Sequence, residues 1–87
     1  MTPKQRQQHI NAIQSILTTC GFTKDAYGNY KNQKDNREYR AKFKSINLRL
    51  ERKGTNQWIN ISSKPVSQIT LSDIALWAAT FTNQPAN

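Results

Sequence analysis

The residues able to do acid–base or nucleophilic chemistry are few and scattered. The acids fall at Asp25, Asp35, Glu38, Glu51 and Asp73. No two of them are spaced so that one helix or one strand would make them a pair. Glu38 and Glu51 could meet only across strands, where they serve equally well as rim partners of nearby Lys and Arg. His9 is the one histidine and Cys20 the one cysteine. A histidine can act as a general base, but nothing in the chain specifies a partner for it. Cys20 closes an apolar stripe, where a thiol packs as a small hydrophobe. A single cysteine allows neither an internal disulfide nor a thiolate metal quartet, and no G-x-x-x-x-G-K-S/T or other metal pattern occurs. The residues therefore predict no enzyme, no metal site and no cofactor.

The cations are a different matter. Thirteen Lys and Arg against five acids give a net charge of +8. Residues 24–53 carry ten of those cations and four of the acids, a net +6, whereas residues 54–87 balance Lys64 against Asp73. Such a lopsided field attracts anions and speeds encounter with them. Its centre is the stretch REYRAKFKSINLRLERK (37–53), where apolar and basic residues alternate. With Tyr39, Ala41 and Phe43 turned to a core, Arg40, Lys42 and Lys44 point outward; with Leu48 and Leu50 turned inward, so does Arg49. Trp58 joins them on that face, and Lys31 and Arg37 extend the basic surface. Clusters of this kind hold polyanion backbones with salt-dependent affinity, and an exposed aromatic among cations can stack a base. The same features also suit a plain polar sheet face, in which Lys and Arg guard against edge aggregation.

Elements follow from periodicity and punctuation. Thr2 and Pro3 form a helix start, Ile10, Ile13, Ile16, Leu17 and Cys20 make an apolar stripe, and Gly21 supplies a C-terminal cap, which predicts a helix over about 4–19. GFTKDAYGNYKN reads as a tight hairpin with Phe22 and Tyr30 on its arms, and residues 32–36 as a turn or loop. Between 37 and 53 the apolar phase flips at Lys44–Ser45, so a hairpin turn or a bulge falls there. A two-residue turn at 44–45 would set Phe43 opposite Ile46, Ala41 opposite Leu48 and Tyr39 opposite Leu50. It would also oppose Arg40 to Arg49 and Glu38 to Glu51, which like-charge repulsion disfavours. A loop over 53–56 would then face Leu50 with Ile59 and Leu48 with Ile61. Pro65 breaks the sheet, and Thr70 with Asp73 has the form of a capping box ahead of a helix over 71–81.

That last helix places Leu71, Ile74, Ala75, Ala78 and Phe81 on one stripe, yet Leu76, Trp77 and Ala79 leave it little polar face. A helix apolar almost all round wants covering, which predicts a homodimer or partner contact through Leu76 and Trp77. The chain reads as α+β: a helix, an antiparallel sheet of about four strands and a second helix, with both helices packed on one face of the sheet. One small domain spans 1–82 and a flexible tail 83–87. The element order is similar to that of double-stranded RNA-binding domains. Their second helix, however, opens with a basic cluster, and here it opens TLSDIALWAA without one, so no family is assigned. No apolar run reaches the ~18 residues of a membrane span and no signal peptide opens the chain, which points to a cytoplasmic protein without a membrane partner. The favoured function is non-enzymatic nucleic-acid binding, single-stranded or duplex undecided. The alternative is a protein–protein module, a small adaptor or inhibitor, using Trp58 and the apolar last helix.

Overall fold

A computed structural model describes residues 1–34 and 37–82. The first helix, α1 (Pro3–Thr19), starts where the sequence places it. The Thr2 hydroxyl accepts from the Gln5 backbone N–H (3.1 Å) and the Thr2 N–H donates to Gln5 Oε1 (2.9 Å). This reciprocal capping box satisfies two of the amide donors that a helix start leaves orphaned. At the other end Gly21, with φ 94°, lets the chain reverse. The Gly21 N–H then donates to Thr18 O and the Phe22 N–H to Leu17 O, a Schellman motif that swings Phe22 into the core.

Five strands follow: β1 (Thr23–Lys24), β2 (Tyr30–Lys34), β3 (Arg37–Lys44), β4 (Asn47–Lys53) and β5 (Trp58–Pro65). They form one antiparallel sheet in the order β1-β2-β3-β4-β5. The sheet has five strands where about four were expected: both short arms of the first hairpin join it as β1 and β2, and residues 32–34, expected as a turn or loop, extend β2. Their composition is turn-like, but Asn32 pairs with Tyr39, Gln33 with Glu38 and Lys34 with Arg37. Strand propensity is overridden by such pairing. The remainder of the expected loop, Asp35 and Asn36, lies outside the described residues, as does the expected tail 83–87. A short 3-10 turn (Val66–Gln68) leads from β5 to α2 (Leu71–Thr82), whose start is fixed by the Thr70–Asp73 capping box.

The β3–β4 register differs from the expected one by two residues, and the β4–β5 register by two before its bulge and three beyond it. The β3–β4 corner is Ser45–Ile46, with Lys44 opposite Asn47, Phe43 opposite Leu48, Ala41 opposite Leu50 and Arg40 opposite Glu51. Ser45 takes φ 55°, the left-handed conformation that tight two-residue hairpin loops use. The shift replaces two like-charge oppositions by one, Lys42 against Arg49, and matches Arg40 to an acid. Ile46 is given up to the corner, where it stays about half exposed. The β4–β5 loop is Gly54–Gln57, so that Lys53 faces Trp58 and Arg52 faces Ile59; a bulge at Ile61 then sets Leu50 against Ser62 and Leu48 against Lys64.

Strand alternation gives the sheet two unlike faces. Tyr30, Tyr39, Ala41 and Leu48 point to one side and join Ile13 and Leu17 of α1 and Ile74 and Ala78 of α2 in a single buried cluster with Phe22, Val66 and Ile69. Both helices therefore lie over this face. On α2 the inward line is Ile74, Trp77 and Ala78, and Leu71 and Ala75 of the expected stripe are exposed; the side chain of Phe81 is outside the described residues. The Trp77 ring lies 5.3 Å from that of Phe22. His9 ties α1 to the segment ahead of α2 by donating from Nε2 to the Ile69 carbonyl (2.6 Å). No helix among the described residues is long and apolar enough to cross a membrane.

Candidate nucleic-acid interface

The face turned away from the helices is built from the alternate residues of each strand. Cross-strand partners point to the same side, which arranges the outer side chains in rows. One row runs Thr23, Lys31, Arg40, Glu51, Asn60; a second runs Gln33, Glu38, Lys53, Trp58; a third pairs Lys42 with Arg49 and Ser63; a fourth pairs Lys44 with Asn47. Of the seven cations and aromatics singled out in the sequence, the fold brings Lys31, Arg40, Lys42, Lys44, Arg49 and Trp58 onto this face. Arg37 is the exception. It has the alternation of Tyr39 and Ala41, so it lies on the helix side, past the end of the core. A basic residue at the head of a strand reads as part of a run in sequence, but its face is set by whether its number is odd or even.

Glu51 was visible in the sequence only as a rim acid, yet it is the most buried charged group described, 3% exposed. Its Oε1 accepts from Arg40 Nε (2.8 Å) and Nη2 (2.7 Å), and its Oε2 lies 3.4 Å from Arg49 Nη2. A carboxylate so enclosed is tolerable only with cations against it, because removal from water costs several kcal/mol per ion, of the order of the attraction gained. Arg40 is covered in turn by Trp58: its guanidinium carbon sits 4.1 Å from the indole centroid, with Lys53 Nζ at 5.5 Å and Lys31 Nζ at 6.0 Å. The indole is thus half-buried and engaged in cation–π contact, which leaves it less open for base stacking than an exposed ring would be. Lys53 was not singled out from the sequence. The register that opposes it to Trp58 is what reveals it.

Charge on this face is only partly compensated. Lys31 pairs with Asp25 (3.2 Å) and Lys53 with Glu38 (4.0 Å). Among the described residues Lys42 and Lys44 form no ion pair, and Lys42 faces Arg49 directly. Among the described residues six cations share the surface with two acids, Glu38 and Glu51. Asp25 sits beside it at the tip of the first hairpin, where its Oδ1 accepts from the Tyr27 and Asn29 amides (2.9 Å each). Burial would push this carboxyl up, but the two amide donors and Lys31 outweigh it and hold the group below its ordinary value of 3.8. Of the expected partner-contact residues, Leu76 is 69% exposed on α2, while Trp77 is half-buried against Phe22. Among the described residues no group of three or more His, Cys, Asp or Glu gathers in a metal-binding arrangement. Set against known proteins, the chain matches no family model, no curated protein and no solved structure, so its own residues carry the functional argument.

Proposed function

We propose that the protein is a non-enzymatic nucleic-acid-binding module that holds the phosphate backbone on the outer face of its sheet. The observation that carries this reading is the Lys42–Arg49 opposition, flanked by Lys44, on the face turned away from α1 and α2. A fold needs a polar face there, but like charges set directly opposite one another are destabilising. A phosphate between them relieves that repulsion. In this reading Arg49, Lys42, Lys44, Lys31 and Lys53 contact phosphates. Arg40, held by Glu51 and stacked on Trp58, contributes field and rigidity more than contact.

The test is fluorescence anisotropy of a labelled oligonucleotide across a salt series. Affinity should fall steeply with salt, and Lys42→Ala with Lys44→Ala should flatten the slope by about 1.4–1.8, at 0.7–0.9 per phosphate contact. Binding that is absent, or that ignores salt, would sink the proposal. These lysines serve better than Arg40 and Arg49, whose removal would strand the buried Glu51. A second reading, docking of a protein partner or a second copy on α2, has the exposed Leu76 in its favour. It draws less support from the two tryptophans, because Trp58 is stacked under Arg40 and Trp77 packs on Phe22.

A further inference from the structure

Arg37 and Arg52 hold charge that the outer face does not use. Tyr39 and Arg52 are cross-strand partners, so Arg37 and Arg52 lie diagonally across β3 and β4 on the helix side. Diagonal neighbours on one face are about 7–8 Å apart. Both residues are exposed, because the core ends at Tyr39. Among the described residues neither guanidinium forms an ion pair. The same end of the sheet has a topological gap. There β3 is joined to β2 and β4 to β5, so no turn closes the β3–β4 pair. A cleft of about 340 Å³ opens at this point, lined by Arg37, Glu38, Tyr39, Arg52 and Lys53. Those residues come from both alternations of the strands, Lys53 and Glu38 from the outer face and Arg37 and Arg52 from the helix side. The positive surface is therefore continuous from one face of the sheet to the other through the notch.

We infer that the notch at the open end of the β3–β4 pair is a second phosphate site, and that it selects single-stranded over duplex nucleic acid. The inference rests on the outer face binding nucleic acid as proposed above. Lys42, Arg49 and Lys53 hold one stretch of the backbone, and the strand then turns through the notch to meet Arg37 and Arg52 on the far side. Only a flexible chain can make that turn. Duplex DNA has a persistence length of about 50 nm and cannot fold round the edge of one sheet, so a duplex on the outer face leaves Arg37 and Arg52 untouched. Guanidinium groups suit the task, since their planar donor fork matches phosphate oxygens in pairs.

The experiment compares a labelled single-stranded oligonucleotide with its matched duplex, over a salt series, for the wild type and two double variants. Arg37→Ala with Arg52→Ala should weaken single-strand binding and reduce its salt slope by about 1.4, two contacts at roughly 0.7 each, with duplex affinity within twofold of wild type. Lys42→Ala with Lys44→Ala should weaken both ligands. The notch is refuted if the arginine variant binds single strands as the wild type does, or loses duplex binding to the same degree. Should neither ligand bind the wild-type protein, the outer-face reading fails, and this one with it. Circular dichroism checks that the variants fold, and Arg37→Gln with Arg52→Gln replaces the alanine pair if its melting temperature drops.

Discussion

Replacing Glu51 by Gln should be among the most damaging single changes on the outer face of the sheet. The carboxylate is 3% exposed and answers two guanidinium groups, with Arg40 itself 14% and Arg49 34% exposed at the side chain. Removing one partner of a buried pair costs about 3–5 kcal/mol, because the other charge is left uncompensated. Two features reduce that figure. Arg40 keeps its contact with Trp58, worth about 0.5–2 kcal/mol, and Arg49 can turn partly to solvent. Glu51→Gln should therefore cost about 2–3 kcal/mol. A chain of 87 residues has about 4–13 kcal/mol of total stability at 0.05–0.15 per residue, so the loss is a large share of it. At roughly 4–8 °C per kcal/mol the midpoint should fall by about 8–24 °C. Urea and thermal unfolding followed by circular dichroism measure it. The combined change Arg40→Met with Glu51→Leu removes both charges and should cost less than Glu51→Gln alone, since buried pairs are often replaceable by apolar residues. If Glu51→Gln stays within about 0.5 kcal/mol of wild type, the usual range for a surface position, the carboxylate does not organise this face.

Three further outcomes follow from the geometry. Asp25, whose carboxyl titrates below 3.8 in the folded chain, contributes stability above its ordinary value and loses it as the pH falls through the folded one. An NMR pH titration of the Tyr27 and Asn29 amides should have its midpoint below 3.8; a midpoint at or above that value contradicts the hairpin-tip geometry. Gly54→Ala should destabilise by about 1–3 kcal/mol, since the added Cβ would lie 2.8 Å from Ile59 Cδ1 and 3.0 Å from the Gln57 carbonyl, and a neutral result in urea unfolding would count against the loop. Trp77→Ala should cost about 3 kcal/mol as a cavity beside Phe22 and leave oligonucleotide affinity unchanged; if stability is unaffected while a dimer is lost, Trp77 belongs to an interface and not to the core.

The features legible in the sequence were those with local causes. Both helix starts, the Gly21 reversal and the outward alternation of Arg40, Lys42 and Lys44 depend on residues within a few positions of one another. What escaped depends on register, which is a property of two strands at once. Composition marked Lys44–Ser45 as the phase break, but whether the corner falls there or at Ser45–Ile46 is decided by the Arg40–Glu51 match and the left-handed Ser45. From that choice follow the burial of Glu51, the stacking of Arg40 on Trp58 and the place of Lys53. The Ile61 bulge has no sequence signal beyond an apolar residue out of phase. Arg37 lies on the other face for a simpler reason: charge density runs along the chain, whereas a strand sorts charge by parity. Residues 32–34 read as a turn or loop because polar residues dominate them, but strand pairing decides their state, and Asn32 also donates its side-chain amide to the Cys20 carbonyl (3.5 Å).

The most direct test of the outer-face interface is to map the contact itself. Titration of isotope-labelled protein with a short oligonucleotide, followed in amide and indole NMR spectra, should shift Lys31, Lys42, Lys44, Arg49, Lys53 and the Trp58 indole, with the amides of α2 unmoved. Shifts centred on Leu76 and its neighbours, or none at all, would contradict the account.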